Sequence, residues 1–149
     1  MQNDATEITR CLYEYALGID TRDWSLYRGI FCDEVTTDFS SFNGEPAART
    51  TADDWVAGVS VLFNGLDATQ HTMSNPMVDI DGDTARCRMY MQAEHFLQNE
   101  QGDTGFAIGG YYDDQLVRTA SGWRVAAVTL KVLWSRGNRH ILALAVQDS

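Results

Sequence analysis

The stretch from residue 84 to residue 98, TARCRMYMQAEHFLQ, alternates between polar and apolar side chains over most of its length, up to Glu94. Successive side chains of a β-strand point to opposite faces of the sheet, so this period of two predicts a long strand with one buried face. The apolar set must form the interior. It comprises Ala85, Cys87, Met89, Met91, Ala93, His95 and Leu97. A histidine therefore points into the interior from the end of this strand.

Similar patterns on both sides of this strand predict an antiparallel meander. The further strands are predicted at residues 34–39, 69–80, 105–118 and 123–134. Asp81-Gly82-Asp83 predicts a hairpin turn before the central strand. Pro76 cannot donate a backbone hydrogen bond, which predicts a bulge or an edge position there. The apolar segment 141–146 is expected to form a last strand or an interface segment.

The first third of the chain has the spacing of helices instead. Residues 6–19 form one apolar stripe with a spacing of three and four residues, made of Ile8, Cys11, Leu12, Tyr15, Ala16 and Ile19. Asp4 is the predicted N-cap of this helix, with Glu7 as its capping-box partner. A second short helix is predicted after Asp23, then a loop at residues 44–49 and a third helix at 51–63.

Helices followed by a long meander predict an α+β fold, in which helices pack on one face of a curved, mostly antiparallel sheet. The length of 149 residues suits a single domain that spans residues 1–149. A curved sheet can wrap around its helices and leave a conical pocket between them. Such a pocket would be the place for a small ligand.

The composition excludes several classes of partner and site. Acidic residues outnumber basic ones by 21 to 11 and give a net charge of -10, so nucleic acid is not expected as a partner. No apolar run approaches the ~20 residues of a membrane helix, and the polar, acidic start predicts no leader peptide. The number of cysteines is odd and their spacing is not that of metal ligands, so we expect neither disulfides nor a metal site. This cysteine usage predicts a cytoplasmic location. The cysteines are Cys11, Cys32 and Cys87.

Two segments carry groups for acid–base chemistry toward the predicted pocket. Asp20 directly follows Ile19, the last residue of the buried helical stripe, and Tyr15 lies five residues before it. His71 shares the inner face of its predicted strand with Met73. If the fold brings Asp20 and His71 together, the carboxylate orients the imidazole, which can move protons near neutral pH.

Structural roles for the same residues stay open at this point. Asp20 could cap the turn formed by residues 20–23, and an inward histidine is more often a hydrogen-bonded core residue than a catalyst. The coincidence of Asp20, His71 and His95 in one cavity favours a functional site. Met73, Met91 and Tyr112 are predicted to line it and to contact the substrate, and no metal ligands are predicted.

The chain resembles the SnoaL-like branch of the nuclear-transport-factor-2-like superfamily, and within it the scytalone dehydratases most closely. The likeness is clearest in Asp20-Thr21-Arg22-Asp23-Trp24, in Thr69-Gln70-His71, around His95, and in Gly122-Trp123-Arg124-Val125. The resemblance implies a cone-shaped α+β barrel that is usually trimeric. It also implies cofactor-independent elimination reactions.

The resemblance assigns roles to individual residues. The characteristic acid of the family falls on Asp20, its catalytic histidine on His71 and the second pocket histidine on His95. Two carbonyl-polarising tyrosines of the scytalone dehydratases fall on Ile19 and Phe39, so these apolar residues are expected to line the substrate pocket instead.

Two further groups of relatives differ at one position. The related bile-acid 7α-dehydratases place a tyrosine where Tyr15 stands, five residues before the acid. The hexachlorocyclohexane dehydrochlorinases share the acid and the histidine but place a lysine there. The pair of Asp20 and His71 is therefore expected here, while the substrate is not specified by it.

Together these features predict a cofactor-independent lyase of the dehydratase type that acts on a small hydrophobic cyclic substrate. His71, oriented by Asp20, removes a proton, the imidazolium or His95 protonates the leaving hydroxyl, and Tyr15 bonds a substrate oxygen. An isomerase or cyclase that uses the same pair is one alternative. A non-catalytic accessory subunit, such as the small subunit of a ring-hydroxylating dioxygenase, is another. The expected assembly is a homo-oligomer, with a trimer favoured.

Overall fold

The computed structural model describes residues 3–147 of the chain. Its helices are α1 (Asp4–Asp20), α2 (Trp24–Gly29), α3 (Ser40–Asn43), α4 (Ala52–Asn64) and α5 (His140–Gln147). Its strands are β1 (Phe31–Asp38), β2 (Ala48–Thr51), β3 (Ala68–Asp81), β4 (Thr84–Phe96), β5 (Gly105–Thr119) and β6 (Gly122–Gly137). The predicted α+β class is confirmed, with two helices ahead of the first strand.

The six strands form one sheet in the order β2-β1-β6-β5-β4-β3. All neighbours are antiparallel except β1 and β6, which run parallel. The sheet is curved but does not close into the expected barrel, because within residues 3–147 its edge strands β2 and β3 do not pair. Instead α1 packs on β3 and α4 packs on β1 and β2, so helices fill the space between the two edges.

The predicted alternation of β4 is confirmed, and it fixes the inner face of the sheet. The buried side chains of this strand are those of Ala85, Cys87, Met89, Met91, Ala93 and His95. The bulge expected near Pro76 is also present. The pairing of β3 with β4 shifts register between Ser74 and Met77, and Asn75 adopts a positive φ of 57°. Extra twist at such a bulge bends the edge strand.

The N-terminus of α1 differs from the expectation in its cap. Asn3, and not Asp4, is the N-cap, because its side chain accepts a hydrogen bond of 2.7 Å from the Thr6 backbone N–H. Asp4 accepts hydrogen bonds from the guanidinium of Arg118 and from the indole N–H of Trp123. These bonds lower the pKa of Asp4 to about 2 and tie the start of α1 to β5 and β6.

Two other segments differ from the prediction. Residues 48–51 form β2, where the end of a loop (44–49) and the start of the third helix (51) were predicted. This strand is too short to show a pattern and is held by pairing with β1. The tail is a helix, α5, and not a strand or an interface segment. Its buried residues Ile141 and Ala145 lie one turn apart, and they place α5 against α4. Gly65, just after α4, permits this close packing, since the Cβ of any other residue at this position would collide with the Ala145 carbonyl of α5.

Candidate active site

A cavity of about 470 Å³ lies between the inner face of the sheet and the helices. Its wall is mostly apolar and aromatic, including Ile19, Phe39, Phe42, Trp55, Phe63 and Met91. The polar groups in the wall include two histidines, His71 and His95, and two tyrosines, Tyr15 and Tyr112. A mainly apolar cavity with a few convergent polar groups is the usual form of a small-molecule site.

Asp20, the last residue of α1, receives its hydrogen bonds from β3. The Thr69 hydroxyl donates to Oδ1 at 2.9 Å, and the His71 backbone N–H donates to Oδ2 at 2.7 Å. Nδ1 of His71 lies 2.8 Å from Oδ1 of the same carboxylate. Because an ionised carboxylate can only accept, Nδ1 carries the proton of a neutral ring and Nε2 carries the lone pair. The structure thus brings the two predicted residues into direct contact.

The Asp20–His71 pair lies in the wall between two spaces. His71 borders the cavity and also an outer groove between α1 and β3, whereas Asp20 borders only the groove. The side chain of His71 is 4% exposed and that of Asp20 is 16% exposed. Met73 also lies in the outer groove because α1 packs along β3 at this level, so the structure does not bring Met73 to the cavity.

His95 has a different environment from His71. Its residue exposure is 4%, and Nδ1 lies 2.9 Å from the Phe106 carbonyl oxygen. A carbonyl can only accept, so Nδ1 donates and Nε2 is the free acceptor. Burial, opposed in part by this hydrogen bond, lowers the pKa of His95 to about 4. His95 is therefore neutral at neutral pH and presents a hydrogen-bond acceptor, not a proton donor, on Nε2.

An aromatic ring holds both imidazoles in place. The rings of His71 and His95 are 6.0 Å apart, and Phe63 lies 5.8 Å from the first and 6.0 Å from the second. Arg22 fixes this end of α4: its Nε donates to the Phe63 carbonyl at 3.0 Å, and its guanidinium also bonds the Leu66 carbonyl. The left-handed φ of 55° at Arg22 directs that side chain toward α4 just after Asp20.

Phe63 and Arg22 were not predicted as site residues. The partners of Arg22 are backbone carbonyls 41 and 44 residues away, so no local pattern in the sequence signals the contact. Phe63 belongs to the apolar stripe of α4 and looks like any other packing residue there.

Three tyrosines form a buried cluster beside the cavity. The Tyr112 hydroxyl donates to the Tyr15 hydroxyl at 3.4 Å, and the indole N–H of Trp55 donates to the Tyr27 hydroxyl at 3.1 Å. The ring of Tyr15 lies 5.0 Å from that of Tyr27. Burial raises the pKa of all three tyrosines, most clearly that of Tyr15. Their hydroxyls therefore keep their protons, and that of Tyr15, which borders the cavity, can act as a donor to a ligand.

The remaining predicted positions lie in the cavity wall. Ile19, Phe39, Met91 and Tyr112 all border the cavity, and the ring of Phe39 lies 5.4 Å from that of Trp55. Within residues 3–147 no group of three or more His, Cys, Asp or Glu side chains is arranged to hold a metal ion.

Comparison with known proteins identifies the family of this fold. The model of the SnoaL-like domain family matches residues 2–129. The chain belongs to the SnoaL-like family. A solved structure of the protein Kfla4162 from Kribbella flavida is similar to this SnoaL-like protein, with a TM-score of 0.89 and 31% identity. That alignment covers 94% of this chain and 97% of the other.

Two enzymes are more distant relatives. Scytalone dehydratase of Colletotrichum orbiculare is 25% identical over 140 residues, which cover 89% of this chain and 74% of the enzyme. The hexachlorocyclohexane dehydrochlorinase LinA-type3 of Novosphingobium barchaimii LL02 shares the fold, with a TM-score of 0.71 and 14% identity, over 89% of this chain and 88% of the other. The family and its dehydratase relative support a lyase- or isomerase-type function for this SnoaL-like protein. Among its described helices, none is both long and apolar enough to cross a membrane.

Proposed function

We propose that this protein is a cofactor-independent lyase of the dehydratase type that acts on a small, hydrophobic, cyclic substrate. The observation that carries the proposal is the contact of 2.8 Å between His71 Nδ1 and Asp20 Oδ1 in the wall of an apolar cavity. A carboxylate at this position holds the imidazole in one tautomer and stabilises the imidazolium once it forms. Nε2 of His71 has no hydrogen-bond partner within residues 3–147, so it is free to act as a base.

In the proposed reaction, Nε2 of His71 removes a proton from the carbon next to a substrate carbonyl. The carbonyl oxygen accepts a hydrogen bond from Tyr15, whose burial keeps its hydroxyl protonated. The electron pair of the broken C–H bond forms the new double bond, and the hydroxyl on the neighbouring carbon leaves as water. A general base placed in this way contributes a factor of ~10²–10⁴ to the rate.

The proton for the leaving hydroxyl comes from His71 in this proposal. His95 has a pKa of about 4, and its Nδ1 proton is bonded to the Phe106 carbonyl, so it has no proton to give from Nε2 at neutral pH. The imidazolium of His71, formed in the first step, is the remaining donor. His95 is then a residue that binds the substrate by accepting a hydrogen bond from one of its hydroxyls.

The neutrality of His95 also favours a second candidate, an isomerase or cyclase on the same pair. A single base that takes up and returns one proton needs no separate acid, and nothing has to leave the substrate. A purely accessory role has no use for a free base next to a buried carboxylate. The trimeric assembly and the cytoplasmic location stay predictions.

The test is to incubate the purified protein with 3-hydroxy-1-tetralone, a bicyclic β-hydroxy ketone that yields 1-naphthol when it loses water. A panel of other cyclic β-hydroxy ketones is incubated in parallel. Mass spectrometry separates the two candidates, because a dehydratase product is lighter by one water and an isomerase product has unchanged mass.

The variant His71→Ala should lose the activity while keeping its fold, as measured by circular dichroism. His140→Ala is the matched control, since it removes an exposed imidazole that bonds Gln101 far along the chain from the pair. Full turnover by His71→Ala, or no chemistry on any member of the panel, would contradict the proposal.

A further inference from the structure

A buried threonine in the cavity wall carries a hydroxyl that has no partner in the described part of the chain. Thr37, near the end of β1, is 8% exposed and borders the cavity. Within residues 3–147 its hydroxyl makes no hydrogen bond, unlike the hydroxyls of Thr69 and Ser41. Such a hydroxyl in a mainly apolar cavity wall is open to the cavity, where water or a ligand can satisfy it.

A second hydroxyl on the same wall is also unsatisfied. Thr37 pairs with Ala48 in the register of β1 and β2, which makes Thr50 its diagonal neighbour on the same face. Thr50 borders the cavity, and its Oγ1 is buried without a partner in the described part of the chain. The wall formed by β1 and β2 therefore carries a small polar patch, in which protein atoms cover the Thr50 hydroxyl and the Thr37 hydroxyl is the one that can meet a ligand.

This patch lies across the sheet from the histidines. The strand order places β1 and β2 at one edge and β3 and β4, which carry His71 and His95, at the other. Both edges border the same cavity, and aromatic side chains of α3 and α4 line the space. A ligand that fills the cavity thus meets polar groups on two sides and rings in between.

The charges of the wall disfavour an anionic ligand, and its mainly apolar lining disfavours any ion. The described cavity wall contains no lysine or arginine, and its acidic residues Glu45 and Asp54 disfavour an anion. Two arginines near the wall are engaged elsewhere. Arg139 stacks on Phe42 and donates to the Phe42 carbonyl, and Arg49 pairs with Glu34.

We propose that Thr37 is a substrate-binding residue, and that the cavity selects an uncharged ring system with oxygen functions on two opposite sides. One oxygen lies at His71, and the other bonds the Thr37 hydroxyl, which can donate or accept. This inference rests on the proposed function and names the class of its substrate.

The test measures the binding of three probes by isothermal titration calorimetry at about pH 6.5, where a phenol is neutral. The probes are 1-tetralone, 6-hydroxy-1-tetralone and the carboxylate 6-carboxy-1-tetralone. We expect the hydroxylated ketone to bind about tenfold more tightly than the parent and the carboxylate to bind most weakly. In Thr37→Val the advantage of the hydroxyl should disappear while 1-tetralone keeps its affinity.

Three variants make the outcome specific. Thr37→Ser keeps the hydroxyl and should retain the advantage, whereas Thr36→Val, on the exposed face of the same strand, should change neither affinity. His71→Ala should leave the ratio of the two affinities unchanged, so the result does not depend on whether elimination occurs. The proposal would be overturned if Thr37→Val lowered the affinity for both ketones equally. It would also be overturned if the parent protein bound both ketones equally well or bound neither.

Discussion

Two imidazoles share one cavity and are given different chemistry by their partners. His71, on the edge strand β3, faces a carboxylate, and His95, on the next strand, faces a backbone carbonyl. Their rings are 6.0 Å apart and both side chains are buried. Burial alone leaves a histidine neutral and passive. In the proposed reaction, the carboxylate that α1 delivers makes His71 the acid–base group, whereas the carbonyl of Phe106 leaves His95 as a hydrogen-bond acceptor.

The largest expected effect tests this difference directly. In the elimination assay, His71→Ala should lower kcat/KM by ~10²–10⁴-fold because the base is lost. His95→Gln keeps an acceptor oxygen and a donor, so it should lower kcat/KM by only about tenfold, mainly through KM. Steady-state kinetics of both variants provide the measurement. Equal losses in kcat for the two variants would mean that the histidines do not differ in role.

A smaller effect is expected when only the partner of His71 is changed. Asp20→Asn keeps the shape of the side chain but removes the charge that fixes the tautomer, and it should lower kcat on the order of 10²-fold. Asp23→Asn is the matched control, because asparagine serves equally well as the N-cap of α2. Unchanged kcat in Asp20→Asn would show that the imidazole needs no carboxylate.

The low pKa of His95 predicts a pH dependence of stability. The folded pKa of about 4 lies below the ordinary value of 6.5, so the unfolded chain binds this proton first as the pH falls. The stability due to neutral His95 is therefore present above about pH 6.5 and is lost toward pH 4. The loss amounts to up to about 3 kcal/mol of the unfolding free energy.

Urea unfolding at several pH values checks this expectation. The His95→Gln variant should lose that part of the pH dependence, whereas His140→Gln, which removes an exposed imidazole, should keep it. A parallel pH profile of His95→Gln and the parent protein would contradict the assignment of a neutral His95.

The smallest effect concerns neighbouring acids on opposite faces of β5. Asp114 is 2% exposed, and burial raises its pKa well above the usual range, although the Thr129 N–H donates to it at 3.3 Å. Its contribution to stability is lost as the pH rises from about 4 toward that raised pKa. Asp114→Asn should therefore raise the unfolding free energy at pH 7, by on the order of 1 kcal/mol.

Asp113 provides the control with the opposite sign. The Arg86 guanidinium bonds it on the outer face and lowers its pKa, so Asp113→Asn should reduce stability at neutral pH. Urea midpoints at about pH 5 and about pH 8 distinguish the two variants. If Asp114→Asn is the less stable of the two at the higher pH, Asp114 is not protonated in the fold.

The parts of the fold that follow from the spacing of apolar residues and from turn-forming residues could be predicted from the sequence. The alternation in β4 and the stripe of α1 each need only local residues, and they identify the inner face of the sheet. Elements that depend on partners could not be predicted. Strand β2 forms because it pairs with β1, and helix α5 forms where Ile141 and Ala145 pack against α4. Asp4 is not the N-cap because its carboxylate bonds Arg118.

The same division applies to the site. The direction of Asp20 and His71 toward one region was predictable because each lies where a buried pattern ends or turns inward, but only the family resemblance indicated that they form the pair that the structure shows. The roles of Arg22 and Phe63 were not, because they act through backbone carbonyls and ring packing between distant segments. Met73 shows that the alternation of side chains along a strand does not by itself locate a residue in the cavity. It shares a face with His71, but it lies in the outer groove beside α1.

The position of His71 between the cavity and the outer groove has a consequence for isotope exchange. In the proposed reaction the substrate proton goes to Nε2 on the cavity side, whereas Nδ1 faces Asp20 and the groove, so only the Nδ1 proton can exchange with bulk water while the substrate blocks the cavity. In deuterated water, substrate recovered before complete conversion should therefore carry little deuterium at the reacting carbon, because the proton returns to it from Nε2. The two nitrogens of one imidazole would then serve two different spaces, one holding the substrate and the other open to solvent.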